Sequence, residues 1–350
     1  MNRDIERILS AAIQAPSGEN CQPWRFVVKG MIIEQWNRPE RDQSPYSWGQ
    51  RASYMANGAA LENLVLTANA LGYEASVRTF PGKAEHVATI TLAKNGAGTD
   101  PLEKTIFDRI SNRKSYSKEK LPPASLEAMG VAGQKSGYGS INFTDKPIDI
   151  SRLARVGSMN ERVMLSNDKL HAFFFSHLNW TKQEDDEKKV GFYIKTLELP
   201  PPAQFAFKLI KRPSIIRLLR KINFPAVVGE QNAIIYAASG AIGAIKGEGT
   251  EPIDFLNAGR VMERVWLAAT LQGLSFQPLT GILFLMLRIR AGETSDFAKE
   301  EITLIESSYA DVLQTFGADN PVLFMFRVGK SDPPSARAVR FPLAECVEVL

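Results

Sequence analysis

Cysteine and histidine are both scarce in this 350-residue chain. Cys21 and Cys346 stand far apart without metal-ligand spacing, which excludes a cysteine framework and makes a reducing cytoplasm the expected setting. His86, His171 and His177 are isolated from one another and pair with no cysteine or carboxylate at ligand spacing, so they are expected to be structural and no metal site is expected. The chain has no Gly-x-x-x-x-Gly-Lys phosphate loop, no Gly-x-Ser-x-Gly elbow and no His-Glu-x-x-His pair. Its nearest approach to a dinucleotide fingerprint, Gly137-Tyr-Gly139-Ser-Ile-Asn142, follows a helical pattern and precedes a strand, the reverse of the required context. Long apolar runs are lacking too. Ala233 to Ile245 and Gly281 to Leu287 fall short of the roughly 20 residues that span a bilayer, and Met1-Asn-Arg-Asp lacks the apolar core of a signal peptide. With side-chain acid-base and metal signatures missing, any hard chemistry is expected to come from a bound organic cofactor.

What is present is enough for a sizeable core. A hydrophobic fraction of 44% and a charged fraction of 23% are those of a globular protein, and the length suits two domains or one with an insertion. The net charge of +4 suits an anionic cofactor, but no basic-aromatic stripe accompanies it, so no nucleic-acid partner is expected.

A repeat runs along the chain. Asp4 to Gln14 has apolar residues at helical spacing, Trp24-Arg-Phe-Val-Val reads as a strand, a polar stretch follows to Arg51, and a second helix covers 57–71. That helix, starting from Gly58, has a counterpart starting from Gly259. At a constant offset of 201 residues Gly58, Glu62, Leu66, Ala68 and Gly72 match Gly259, Glu263, Leu267, Ala269 and Gly273. The surroundings match: helix 4–14, strand 24–28, helix 57–71 and strand 86–93 are answered by helix 124–134, strand 141–143, helix 257–272 and strand 322–328. Duplication explains this order better than two unrelated helices with glycine C-caps. The expected division is 1–100 and 101–350, the second half carrying an insertion at about 179–231. Within it, Phe205 to Ile222 sets Lys208, Lys211, Arg212, Arg217, Arg220 and Lys221 among Leu, Ile and Phe. This reads as an amphipathic lid helix with a solvated face rather than a membrane-surface helix.

Three polar clusters offer directional donors. In Ala15-Pro-Ser-Gly-Glu-Asn-Cys-Gln-Pro-Trp24, Ser17, Asn20 and Gln22 supply hydrogen bonds while Gly18 allows a flat ligand to approach the backbone. Asn112-Arg-Lys-Ser115 sets two cations beside a hydroxyl, as a phosphate needs. Arg337-Ala-Val-Arg340-Phe-Pro adds further charge. Pro23-Trp24 reads as a core anchor at a strand start.

Ala15-Pro-Ser-Gly-x-Asn-x-Gln-Pro-Trp24 resembles the Ala-Pro-Ser-x-x-Asn-x-Gln-Pro-Trp signature of the FMN-dependent nitroreductase superfamily. Arg113-Lys-Ser115 is similar to that family's phosphate-binding Arg-Arg-Ser motif, Gln277-Pro-Leu-Thr-Gly281 to its Pro-x-x-Gly flavin loop, and Arg340-Phe-Pro-Leu to its C-terminal basic motif. In ordinary members the arginine motif comes first, in a short chain that dimerises with each flavin between subunits. Here the order is reversed, and the sequence best resembles the fused, Acg-type nitroreductase-like subgroup.

The resemblance implies an α+β fold with a mixed sheet flanked by helices in each half and the insertion as a lid. It also implies one FMN per chain. Half two would supply Arg113, Lys114, Ser115, Arg337 and Arg340 for the phosphate, with Pro278, Thr280 and Gly281 beside the flavin N5. Half one would supply Pro16, Ser17, Gly18, Asn20 and Gln22. A second site, at 135–141, lacks the matching residues. Two departures bear on the phosphate contacts: Ser117 stands where a base is often found, and Ala338 where a further cation would fall, with Arg337 as its substitute. The implied activity is ping-pong transfer of hydride from NADH or NADPH through flavin N5 to a nitroaromatic, quinone or similar electrophile, with no catalytic side chain, in a cytoplasmic monomer or homodimer without membrane partners. The alternative is a flavin-sequestering or regulatory protein whose lid shuts out NAD(P)H.

Overall fold

The computed structural model describes residues 1–96 and 98–350. Ile5, Ile8, Leu9 and Ala12, three and four apart, bury one stripe of helix α1 (Arg3–Ala12), and the Asn2 side chain caps its start by accepting from Asp4 N at 2.7 Å. Strand β1 (Trp24–Lys29) turns back through Gly30, at φ +61°, into β2 (Ile32–Asn37). The expected polar connection down to Arg51 therefore contains a strand. Two of the three residues on its buried face, Gln35 and Asn37 beside Ile33, are polar and bond Asn57 of the next helix, and that hides the alternation by which a strand is read. Helix α2 (Arg51–Ala70) starts at Arg51 rather than at 57, because Ser53 and Asn57 are buried despite their polarity. Strands β3 (Tyr73–Thr79), which was not expected, and β4 (His86–Lys94) complete this half.

The second half opens with α3 (Pro123–Gln134) and β5 (Ser140–Thr144). A long excursion follows through α4 (Pro147–Ser166), α5 (Asp168–Ser176), β6 (Leu178–Asn179), α6 (Lys182–Lys188), β7 (Phe192–Tyr193), α7 (Pro201–Ile210), α8 (Pro213–Arg220) and α9 (Phe224–Ala237). The chain then returns through β8 (Ala241–Lys246), α10 (Pro252–Leu271), β9 (Ser275–Pro278), α11 (Gly281–Arg290), α12 (Lys299–Phe316), β10 (Val322–Gly329), the short α13 (Leu343–Cys346) and β11 (Val347–Val349). The excursion is thus wider than 179–231. The basic stretch 205–222 forms two helices, because Pro213 has no N–H to continue the first and its fixed φ starts the second. The apolar run from Ala233 to Ile245 is shared between the end of α9 and β8.

The first sheet has the order β11-β1-β2-β4-β3 and the second β5-β8-β10-β9. Setting aside the excursion, α11–α12 and the chain end, each half runs helix, strand, strand, long helix, strand, strand. Its four strands lie in the same spatial order with every neighbouring pair antiparallel. Both sheets are mixed: β11 joins β1 in parallel, and Ser111 bridges Phe276 of β9 in parallel. The result is an α+β fold.

Helices α2 and α10 cross at the middle. A Cβ on Gly58 would stand 1.9 Å from Leu256 O, and one on Gly259 2.0 Å from Met55 O. Each glycine admits the other helix's backbone, and the offset of 201 residues relates both glycines and both of their contacts. Gly72 and Gly273, at φ +81° and +67°, end the two helices. Beside the crossing, buried Glu62 pairs with Arg264 at 2.7 Å and Arg260 at 2.8 Å. One core joins α1, α2, α10 and both sheets; a second lies beneath α4, α9, α11 and α12. Among the described residues no helix is long and apolar enough to cross a membrane, and no group of three or more metal-ligating side chains converges.

Candidate functional site

The segment Ala15 to Trp24 departs from regular structure in a costly way. Glu19, Asn20 and Gln22 adopt φ of +44°, +54° and +51°, a region side-chain-bearing residues avoid unless their surroundings hold them there. The holding groups are specific. Gln22 N donates to Ser17 Oγ at 3.0 Å, Asn20 Nδ2 donates to Lys189 O and Val339 O at 2.9 Å each, and Gln22 Nε2 donates to Lys189 O at 2.7 Å. Phe341 N donates to Gln22 Oε1 at 2.8 Å, and Gly191 N to Glu19 O at 2.7 Å. The amides of Asn20 and Gln22 therefore tie the loop to the C-terminal segment and to the excursion. Trp24 is fully buried at the start of β1, the anchor expected of it.

Arg340 arrives from the other end of the chain. Its terminal nitrogens donate to Asn20 Oδ1 at 2.7 Å and to Ala15 O at 3.0 Å, with Gln14 O at 3.2 Å, while its Nε is buried without a partner. Burial, together with the charges of Arg109 and Arg337, pushes its pKa down to about 9. Arg109, which sequence reasoning passed over, donates to Gln14 O at 2.6 Å and lies 3.1 Å from Glu263, with poor hydrogen-bond alignment. Arg337 donates to Asp108 O at 2.8 Å. Three arginines against the two carboxylates of Glu263 and Asp108 leave an excess of positive charge beside the loop.

Arg113 faces different neighbours. It donates to Thr196 O at 3.1 Å, its guanidinium carbon lies 5.4 Å from the Phe192 ring centroid, and Tyr116, Tyr236, Glu198 and Glu161 lie in its field. Lys114 Nζ reaches Pro333 O at 2.7 Å, and the carbonyl of exposed Ser115 accepts from Ser331 Oγ at 3.0 Å. Buried Arg327 connects this segment to the Pro278 loop: it donates to Lys114 O at 2.6 Å and Gln277 Oε1 at 2.9 Å. Thr280 precedes α11 and Gly281 opens it, and a Cβ there would stand 2.1 Å from Asn160 Oδ1.

The motif residues thus form two neighbourhoods: Arg340 with the loop, and the 113–115 segment joined through Arg327 to the Pro278 loop. Residues 189–198 of the excursion bridge them, touching Asn20 and Gln22 at one end and Arg113 at the other. Between them stand groups absent from any motif. Glu161 accepts from Tyr236 Oη at 3.0 Å, and burial pushes its pKa up to about 7. Glu19 is raised to about 8 by burial and by Asp42, and Tyr46 lies in the field of both glutamates. Only Glu263 had a signal, as the repeat partner of Glu62. A groove of ≈ 570 Å³ lined by His171, Phe175, Trp180, Lys211 and Arg217 lies elsewhere and contains none of the motif residues.

No protein-family model matches the chain. It is 25% identical over 349 residues to an uncharacterized protein of Mycobacterium tuberculosis, covering 97% of this chain and 48% of that one. It is 29% identical over 138 residues to a chain of the same organism provisionally named an NAD(P)H nitroreductase, covering 38% and 40%. The chain spans about half the length of the curated relatives it matches. Among solved structures, a Bacteroides fragilis nitroreductase with bound FMN aligns at TM-score 0.36 and 13% identity, covering 70% of this chain and 96% of that one. An FMN-dependent nitroreductase of Mycobacterium smegmatis in complex with NADPH aligns at TM-score 0.37 and 12% identity over the same shares. These superpositions are loose. In its motifs at 15–24, 113–115, 277–281 and 340, the chain resembles the FMN-dependent nitroreductase superfamily.

Proposed function

We propose that the chain is an FMN-dependent oxidoreductase of the nitroreductase kind, formed by duplication, with one flavin between its halves. The observation that carries the reading is the Arg340 to Asn20 hydrogen bond of 2.7 Å, because it joins the two ends of the chain whose motifs resemble opposite walls of a flavin site. The residues suit the group: Arg340 Nε is a buried donor in want of an acceptor, and the surrounding charge is positive. Arg113, Lys114, Ser115, Arg337 and Arg340 would hold the phosphate, Pro278, Thr280 and Gly281 the ring, and Pro16, Ser17 and Gly18 its opposite face. When bound, FMN supplies an N5 that takes hydride from NADH or NADPH and passes it to an electrophile. The chain's part is to orient, desolvate and stabilise.

Anaerobic addition of NADPH to the purified yellow protein tests this: the flavin band should bleach and then recover when a quinone or nitroaromatic is added. A second reading, flavin sequestration, draws on the contacts of residues 189–198 with both neighbourhoods, which would make them a lid. Colour that persisted for hours under NADPH would favour it.

A further inference from the structure

Helix α4 carries two side-chain oxygens that are buried without a partner, Asn160 Oδ1 and Glu161 Oε2. Asn160 Oδ1 lies against Gly281, where the flavin ring is proposed to rest. The other carboxyl oxygen of Glu161 accepts from Tyr236 Oη of α9 at 3.0 Å. Also facing Glu161 are the Asn160 amide of its own helix, whose side chain favours the carboxylate, Arg113 from the segment before α3 and Tyr46 from the segment before α2, with Glu19 also in the field of Tyr46. Glu161 thus has Asn160, which lies against Gly281, beside it in sequence and Arg113 in its field. A buried carboxyl oxygen with no donor is costly when ionised and is normally matched by a hydrogen bond. Its retention here points to a partner that arrives with the substrate.

We propose that Glu161 is the proton donor to the electron acceptor at this site, positioned by Tyr236, with a quinone as the acceptor used to probe it. The proposal rests on the flavin reading above. When bound and reduced by NAD(P)H, FMN would supply the hydride, two electrons and one hydrogen, that the quinone takes up, and the remaining proton is the chain's part. The Glu161 O–H bond breaks and a new O–H bond forms on the acceptor oxygen. Hydroquinone leaves, Glu161 remains as carboxylate, and it regains a proton from water. A carboxyl whose pKa burial holds near 7 is still partly protonated at neutral pH, where an ordinary glutamate at about 4.3 is almost wholly ionised.

The test uses the full flavin-loaded chain and benzoquinone as the acceptor. Glu161→Gln, close to isosteric, should retain its flavin. Its oxidative half-reaction should slow about 10²-fold, more than its reductive one, and should lose the fall in rate that the native chain shows as pH rises through neutrality. Tyr236→Phe removes a hydrogen bond that favours the carboxylate, so it should move that fall to higher pH. An infrared band of a protonated carboxyl that titrates near neutral pH should be present in the native chain and absent from Glu161→Gln, whatever the turnover. A flavin-loaded Glu161→Gln chain with an unchanged pH profile, or with the band intact, overturns the role of Glu161 alone. A native chain that holds no flavin overturns the flavin reading and this role together.

Discussion

Gly58 and Gly259 are interchangeable in their roles: each presents bare backbone to the opposite helix, so that a Cβ on either would stand about 2 Å from a carbonyl oxygen of its partner, Leu256 or Met55. That reciprocity is what a twofold interface requires, and it sets α2 and α10 close enough for Glu62 to reach Arg264. Gly58→Ala and Gly259→Ala should each destabilise the chain by about 2–3 kcal/mol or more, because two helix backbones must separate. Gly130→Ala, with nothing within 4 Å of the added carbon, should stabilise by about 0.5–1 kcal/mol through helix propensity. Urea denaturation of the three variants distinguishes the cases.

Arg264 bonds Glu62 at 2.7 Å and Ala132 O at 2.6 Å, and it also reaches Asp100, all at the interface of the halves. Arg264→Met would leave Glu62, which is 2% exposed, with only Arg260. The expected loss is about 3–5 kcal/mol, dominated by the uncompensated buried charge. Arg264→Met with Glu62→Leu should recover most of it, and a thermal melt of the double variant reads this directly.

Arg113→Ala should weaken FMN binding about 10- to 100-fold, the worth of one charge-assisted hydrogen bond. Arg340→Ala should do the same and also loosen the loop at 15–22, which loses its donors to Asn20 and Ala15. Flavin fluorescence titrations, with limited proteolysis of the loop, separate the two effects.

Glu161 and Glu19 are raised to about 7 and about 8, above the ordinary glutamate value of about 4.3. The folded chain therefore binds protons that the unfolded chain has released, and their contribution to stability is full below about pH 4 and is lost as pH rises through 7 and 8. Stability should fall between pH 5 and pH 8.5 on account of these groups. In the Glu19→Gln, Glu161→Gln double variant that slope should flatten, as denaturant midpoints across the range would show.

The repeat was legible because α2 and α10 are apolar helices of one length ended by glycine, and their matched positions, Gly58, Glu62 and Gly72 among them, carry the contacts that made them worth matching. Strand β2 was not legible, because two of its three buried residues, Gln35 and Asn37, are polar and bond a helix later in the chain. The basic stretch after 205 reads as one helix in sequence because its periodicity continues across Pro213, where the chain forms two. At the site, the loop and Arg340 could be linked only through the family's motifs. Glu161, Tyr236 and Arg109 belong to no motif and owe their proximity to the excursion and to chain reversal, which periodicity does not record.

The most direct measurement is the flavin content of the purified chain, by denaturing it and separating and quantifying the released chromophore. One FMN per chain is expected. FAD, two FMN per chain, or a colourless protein that takes up no added FMN would contradict a single mononucleotide site held between the loop at 15–24 and the arginines at 113 and 340.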